Sequence, residues 1–329
     1  MFYKKALFVF FLLKIFYFNS YSNCVEINIV YACDNKYVMP TIVSMESAIE
    51  SMKDTSFYNF TILVSPDVTE ENRQKFKLFN NSYSGKCSVE IIDMKNAYSG
   101  SYAPELWGVA MYYRLDIPFI LRDKDKVIYL DGDTFVCQDL QEMWHIDLED
   151  NLCAGVIDLA DRIDFIKEHA NTAKIYINSG VLLINCDGWR KEKNLKKTIE
   201  KYSKNAENFY FKYPDQDILN IVCAGRIKQL DSKFMNGGFK FRYIPNGNFS
   251  LLNKISQESN NNPVIIHYLG TKKPWKSNKG SSRFNNKWRN LFYKIREKYN
   301  FGKLNLNDTK LGHSEPNNVK RECCCCKGN

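Results

Sequence analysis

From residue 25 onward the chain alternates short apolar runs with longer stretches in which apolar residues recur at helical spacing. Residues 27–33, 58–64, 87–92 and 127–130 are runs of β-branched, aromatic and aliphatic residues of strand length. They are continuous enough to be buried on both faces, as in a parallel sheet. Between them, Pro40 opens a segment whose Ile42, Met45, Ala48, Ile49 and Met52 share one helical face. A charged helix is predicted over about residues 69–79, and another from about Pro104. Strands alternating with helices imply βαβ units and an α/β fold with a mostly parallel central sheet. In such sheets ligands bind beyond the carboxyl ends of the strands.

The second half is less regular. Residues 174–185 (KIYINSGVLLIN) are apolar on both sides of Asn178, Ser179 and Gly180, which predicts a strand broken by a polar kink. A glycine there lets backbone approach a ligand closely. A Lys-rich, solvated helix follows Trp189. Asp215, Gln216 and Asp217 sit at a predicted helix start, where carboxylates suit the positive dipole end. Capping accounts for one of those acids, not for the trio. Residues 264–266 form a last short strand that runs into His267. Residues 283–299 carry apolar positions at 284, 288, 291, 292, 295 and 299 opposite a face of Lys and Arg. That basic amphipathic helix either packs on the domain or lies on a membrane surface.

Against this pattern one stretch stands out. The strand at residues 127–130 stops at Asp131 and Asp133, with Gly132 between them. Carboxylates are rarely buried unless paired or bound to a metal. Two of them at the carboxyl end of a central strand suit a hard cation, whereas a polar strand-end turn is the competing explanation. Asp34 ends the first strand in the same way, so the three acids would share one rim. His267 also follows an apolar strand, and the chain has only four histidines. Gly270 and Lys273 come next, a close-approach glycine and a point charge suited to phosphate oxygens. Two carboxylates and an imidazole, with open positions for phosphate, suit a divalent ion of the Mn²⁺ type, with Mg²⁺ as the alternative.

Composition sharpens this picture at three points. The chain has 329 residues, 44% of them apolar, enough for one large α/β domain with a substantial core. The net charge of +9 is local, because residues 272–303 hold 11 Lys and Arg against the single Glu297. A local anionic partner such as phosphate or a membrane surface fits that distribution, and a nucleic-acid partner does not. Four of the 11 cysteines form the run 323–326, and the others show neither zinc-finger spacing nor a disulfide framework. Residues 1–22, with Lys4 and Lys5 before an apolar stretch at 6–18 and small residues at Ser20 and Ser22, read as a signal peptide or an uncleaved anchor. The expected location is therefore the secretory pathway, in the ER or Golgi lumen or beyond. Sequons at Asn59, Asn80, Asn248 and Asn307 are compatible with it.

Six blocks, IVYACDNKYV, MYYRL, VIYLDGDTFV, YINSGVLLIN, DQDILN and HYLGTKKPW, occur in this order. Together they resemble the retaining glycosyltransferases of family 8, most closely the bacterial lipopolysaccharide galactosyl- and glucosyltransferases, with glycogenin and galactinol synthase as further members. The resemblance spans residues 25–275 and implies a GT-A fold, a Rossmann-like sheet flanked by helices in a single catalytic domain. The expected organisation is a signal or anchor at 1–22, the catalytic domain at 23–275, the basic helix at 276–302 and a disordered tail at 303–329.

The resemblance also implies roles. Ala32, Asp34 and Tyr37 would line the uracil and ribose pocket. Cys33 and Asn35 depart from the small residue and the Asp usual beside them in the bacterial members. Arg114 would reach the sugar or phosphate region. Asp131, Asp133 and His267 would hold Mn²⁺, with Gly132, Gly270 and Lys273 at the diphosphate. Asn178 would lie near the donor sugar, and Asp215 and Gln216 would flank its anomeric carbon. The implied reaction moves a hexose from UDP-glucose or UDP-galactose to a glycan, glycolipid or polyol hydroxyl. The rival readings are an inactive nucleotide-sugar-binding protein and a peripheral enzyme that acts on a lipid-linked acceptor. A haloacid-type phosphatase also places D-x-D after a strand, but here Phe135 stands where that family needs Thr or Val.

Overall fold

A computed structural model describes residues 24–104, 107–158, 162–236, 262–270, 273–275 and 283–301. Its elements in chain order are β1 (Val25–Cys33), α1 (Val38–Ser51), β2 (Ser56–Val64), α2 (Glu70–Ser82), β3 (Cys87–Asp93), α3 (Ile117–Ile120), β4 (Lys126–Leu130) and β5 (Thr134–Val136). They continue with α4 (Gln141–Trp144), β6 (Cys153–Ile157), α5 (Ile163–His169), β7 (Ile177–Asn185), α6 (Cys186–Lys191), α7 (Leu195–Lys204), α8 (Pro214–Val222), β8 (Ile227–Gln229), β9 (Ile265–His267) and α9 (Arg283–Lys298). The segments 1–22 and 303–329, the sequons at 248 and 307 and the cysteine run lie outside the described residues.

Seven strands form one sheet in the order β3-β2-β1-β4-β7-β6-β8. All pairs are parallel except those made by β7, which runs antiparallel to both β4 and β6. The expected α/β architecture with a mostly parallel sheet is what the chain adopts. Strands β1 and β4 lie side by side, with β2 and β3 continuing to one side and β7 to the other. That is the switch point at which a doubly wound sheet opens a crevice. Asp34 follows β1 and Asp131 follows β4, so both stand at its mouth.

The structure differs from the predicted elements in four places. Residues 174–176 are not strand, and Asn178, Ser179 and Gly180 lie within β7 rather than interrupting it. The irregularity falls on the partner instead, where the β6 register shifts between Gly155 and Ile157. No α-helix is seen from Pro104 among the described residues. Gly108 at φ +61 opens a 3-10 helix over Val109–Leu115, and a left-handed residue of this kind ends rather than propagates an α-helix. Third, β6 and α5 are elements that the apolar pattern did not single out. Last, β5 and β9 form a separate two-stranded ribbon.

The core lies on both faces of the sheet, and α9 closes one of them. Trp288, Leu291, Phe292, Ile295 and Tyr299 are all buried there. The apolar face of the basic helix is therefore used for packing. Each such aliphatic or Phe side chain is stabilised by roughly 1.5–3 kcal/mol on burial. Five of the cysteines among the described residues, Cys33, Cys87, Cys153, Cys186 and Cys223, are buried as small core residues. Asn59 points from β2 into a polar row, bonded to Glu26, Asn28 and Ser88.

Candidate active site

The site forms where β4, β5, β7 and β9 converge. Asp131 continues β4, and its backbone N–H donates to the Gly180 carbonyl at 2.8 Å. Because β7 is antiparallel, its first residues lie at the carboxyl end of β4, which brings Asn178, Ser179 and Gly180 to the same rim. The ribbon then supplies the histidine. Pairing of Thr134 with His267 sets the imidazole beside Asp133. His267 Nε2 lies 3.1 Å from Asp133 Oδ1 and 3.4 Å from Asp131 Oδ2. Separated by 134 positions in sequence, the imidazole and the Asp133 carboxylate meet through backbone pairing alone.

These three side chains are the group of metal-ligand type found among the described residues, with candidate ligand atoms all within 4.8 Å of one another. Two carboxylate oxygens and one imidazole nitrogen are a donor set for a borderline-hard divalent ion. Glycine keeps the space between them free. A Cβ added at Gly180 would stand 2.1 Å from His267 Cε1 and 2.4 Å from Asp131 Oδ2. At Gly132 it would stand 2.4 Å from Thr41 Oγ1, so the turn between the two acids packs directly on α1. The residues thus fit a bound divalent cation.

Lysine and arginine complete the electrostatics. Lys273 Nζ pairs with Asp133 Oδ2 and donates to the Tyr268 carbonyl at 2.6 Å. Burial opposes ionisation of Asp133, but His267 and Lys273 beside it hold the carboxyl well below the usual carboxylate range. Arg114 comes from the 3-10 helix over Val109–Leu115 and is buried. It bonds Asp131 Oδ1 at 2.8 Å, Asp215 Oδ2 at 3.2 Å and the Ser179 carbonyl at 2.7 Å. Arg114 therefore ties the metal-ligand side to α8. Tyr129 also donates to Asp131, at 2.8 Å, and so fixes the same carboxylate from within β4.

The opposite side is a hydrogen-bonded network. Ser179 Oγ donates to Asp215 at 2.9 Å, and Ser179 N–H donates to Gln216 Oε1 at 3.0 Å. The Gln216 amide then donates to Tyr176 at 2.9 Å and Asp158 at 3.2 Å, which fixes its orientation. Asn178 donates to the same Asp158 oxygen at 2.8 Å. Burial raises the Asp215 carboxyl above its usual range, opposed by Arg114 and assisted by Asp131. Asp217 does the local work at the start of α8. It takes both N–H groups of an Arg162 fork at 2.9 Å and accepts from the backbone of Lys212 and Tyr213. Asp215 and Gln216 are thereby left to face the site.

At the end of β1, Asp34 accepts from Tyr37 N–H at 3.0 Å and caps the 3-10 turn over Asn35–Tyr37. Its carboxyl is raised by burial. Ala32 is half-buried one residue before the end of β1. Tyr37 meets Trp275 edge to face at 6.2 Å. Gly270 lies exposed at φ +72 between His267 and Lys273, a conformation suited to glycine. Ser179, Tyr176 and Asp158 were missed in the sequence. Asp158 had a signal: it ends the run CAGVI, another apolar run closed by an acid.

Comparison with known proteins decides the family. The sequence model of glycosyl transferase family 8 matches residues 28–279. The chain belongs to glycosyl transferase family 8. A putative glycosyltransferase of Haemophilus influenzae is 30% identical over 75% of this chain and 72% of its own length. The lipopolysaccharide 1,3-galactosyltransferase of Salmonella typhimurium is 28% identical over 78% of this chain and 75% of its own. Among solved structures, the galactosyltransferase LgtC in complex with donor and acceptor sugar analogues superposes with a TM-score of 0.68, at 26% identity, over 82% of this chain and 96% of LgtC. This family 8 chain is thus a glycosyltransferase with the GT-A architecture.

Proposed function

We propose that this glycosyltransferase moves a hexose, glucose or galactose, from a UDP-sugar to a hydroxyl of a glycan or glycolipid, with retention of configuration. The observation that carries the reading is the convergence of Asp131, Asp133 and His267 beside Lys273, at the rim that also holds Asp34 and Tyr37. The galactosyltransferases among its relatives support the hexose.

Asp131, Asp133 and His267 would hold a divalent ion, Mn²⁺ in preference to Mg²⁺ because of the imidazole. Such an ion, when bound, offsets the charge that develops on a leaving diphosphate. Lys273 supplies a second positive charge from a buried position, where it acts more strongly than in water. Asn178 and Gln216 share Asp158 as acceptor, so their amides are oriented before substrate arrives.

In the transfer, the sugar C1–O bond to the phosphate breaks and a C1–O bond to the acceptor forms on the same face. The acceptor hydroxyl proton passes to the leaving phosphate oxygen. This route asks no protein side chain to act as nucleophile, which suits the neutral amide of Gln216. Asp215, held by Arg114 and Ser179, stabilises positive character on the sugar ring. A screen of UDP-sugars for UDP release, with and without Mn²⁺, tests the reading. Turnover of UDP-glucose or UDP-galactose that stops on chelation is expected; metal-independent turnover, or none with any UDP-sugar, would refute it.

A further inference from the structure

The C-terminal helix α9 reaches the nucleotide side of the site through one side chain. Trp288 is fully buried and stacks on Trp275, with centroids 4.8 Å apart and planes 30° apart. It also meets Tyr268 edge to face at 6.3 Å. Both partners belong to the segment that carries His267 and Lys273. Tyr268 N–H donates to the Asp133 carbonyl at 3.0 Å, and its own carbonyl accepts from Lys273. Trp275 in turn meets Tyr37 at 6.2 Å. Tyr37 itself lies against Gly132, because a Cβ built there would come 3.5 Å from Tyr37 Cδ1. An unbroken series of ring contacts therefore runs from α9 to the turn between the two metal-ligand aspartates.

The far end of α9 is anchored separately. Lys298 pairs with the fully buried Glu46 at 3.3 Å, and Lys294 pairs with Glu50 at 3.0 Å. Both acids lie on α1, which begins directly after Tyr37. The helix thus contacts α1 through Lys294 and Lys298, and Tyr268 and Trp275 through Trp288. Among the described residues the Trp288 indole N–H has no acceptor.

We propose that Trp288 is a positioning residue for the donor: by stacking on Trp275 and meeting Tyr268 edge to face it sets the spacing of Tyr37 and Lys273 across the nucleotide. The inference rests on the UDP-sugar reading above. Aromatic pairing of this kind predicts a loss of affinity of about fivefold to tenfold when the ring is removed.

The test uses the full chain and UDP with Mn²⁺ as probe, read by calorimetry, beside kcat for UDP-sugar hydrolysis and the melting temperature. Ile295, fully buried on the same face about 10 Å further along the axis, serves as the packing control. Trp288→Ala should weaken UDP by that factor, and kcat should fall with it, because Lys273 is displaced from the leaving diphosphate. Trp288→Phe should restore affinity, because a phenyl ring still stacks. Trp288→Leu keeps apolar burial without a ring and should behave like Ala, which covers the case in which the Ala variant does not fold. Ile295→Ala should melt lower yet bind UDP as wild type does. Equal weakening by Ile295→Ala, or unchanged affinity in Trp288→Leu, overturns the proposal. Absence of UDP binding by the wild type overturns the donor reading itself, and this inference with it.

Discussion

The two sides of the site are built on different principles. On the metal-ligand side, Asp131, Asp133, His267, Lys273 and Arg114 crowd opposite charges together, so each group is held by a charge that a cation or phosphate can replace. On the α8 side, Asn178, Ser179, Gln216 and Tyr176 form a largely neutral network around Asp158 and Asp215. The Arg114 side chain spans both. The first side answers to charge and to the space kept open by glycine. The second answers to hydrogen-bond direction, since each amide donates to the acceptor-only Asp158 carboxylate and accepts from a donor-only backbone N–H. Substitutions should therefore fail differently on the two sides.

The largest effect is expected where space is the constraint. Gly180→Ala drives a methyl into His267 and Asp131, and a misplacement of this order costs about a hundredfold. Mn²⁺-dependent UDP release should fall accordingly with a native-like circular dichroism spectrum. Retained metal binding in that variant would break the contrast between the sides.

Next comes Gln216→Glu, which sets a new carboxylate beside Asp158. Like charges raise the pKa of one member. The variant should lose about tenfold in kcat at neutral pH and recover toward acid pH as the new acid takes up a proton. A pH profile parallel to that of the wild type would show that amide direction is not what this side supplies.

How much of this was legible in the chain depends on where the signal lies. Asp131, Asp133 and Asp34 declare themselves locally, because an apolar strand that stops at an acid is visible in a window of ten residues. His267 was legible by the same pattern, but its distance from Asp133 is set by the β5–β9 ribbon, where it pairs with Thr134 across 133 positions that no local window contains. Asn178 reached the rim only because β7 runs antiparallel, and strand direction is decided by tertiary pairing. Asp158 was missed although its run ends like the others. Its strand is short, and its role appears only when Asn178 and Gln216 are seen to share it. The basic helix posed a choice between packing and a membrane surface, and its apolar face is taken up by the core.

The smallest effect concerns stability. Burial raises Asp215, so its ionised form is less favoured in the folded chain than in the unfolded one. Its stabilising contribution is complete below the unfolded value of about 3.9 and is lost as pH rises through the raised folded value. Asp215→Asn should therefore melt slightly higher than the wild type at neutral pH, and the gap should close in acid. Thermal scans across that window check the sign, and a gap that widens in acid would contradict it.

The most direct test of the metal-ligand side is UDP release from UDP-glucose and UDP-galactose without acceptor, with Mn²⁺ titrated into wild type and Asp133→Ala. Wild-type hydrolysis should saturate with Mn²⁺ and stop on chelation. In Asp133→Ala the rate should fall by more than about a hundredfold. Hydrolysis unchanged by that substitution would contradict the account.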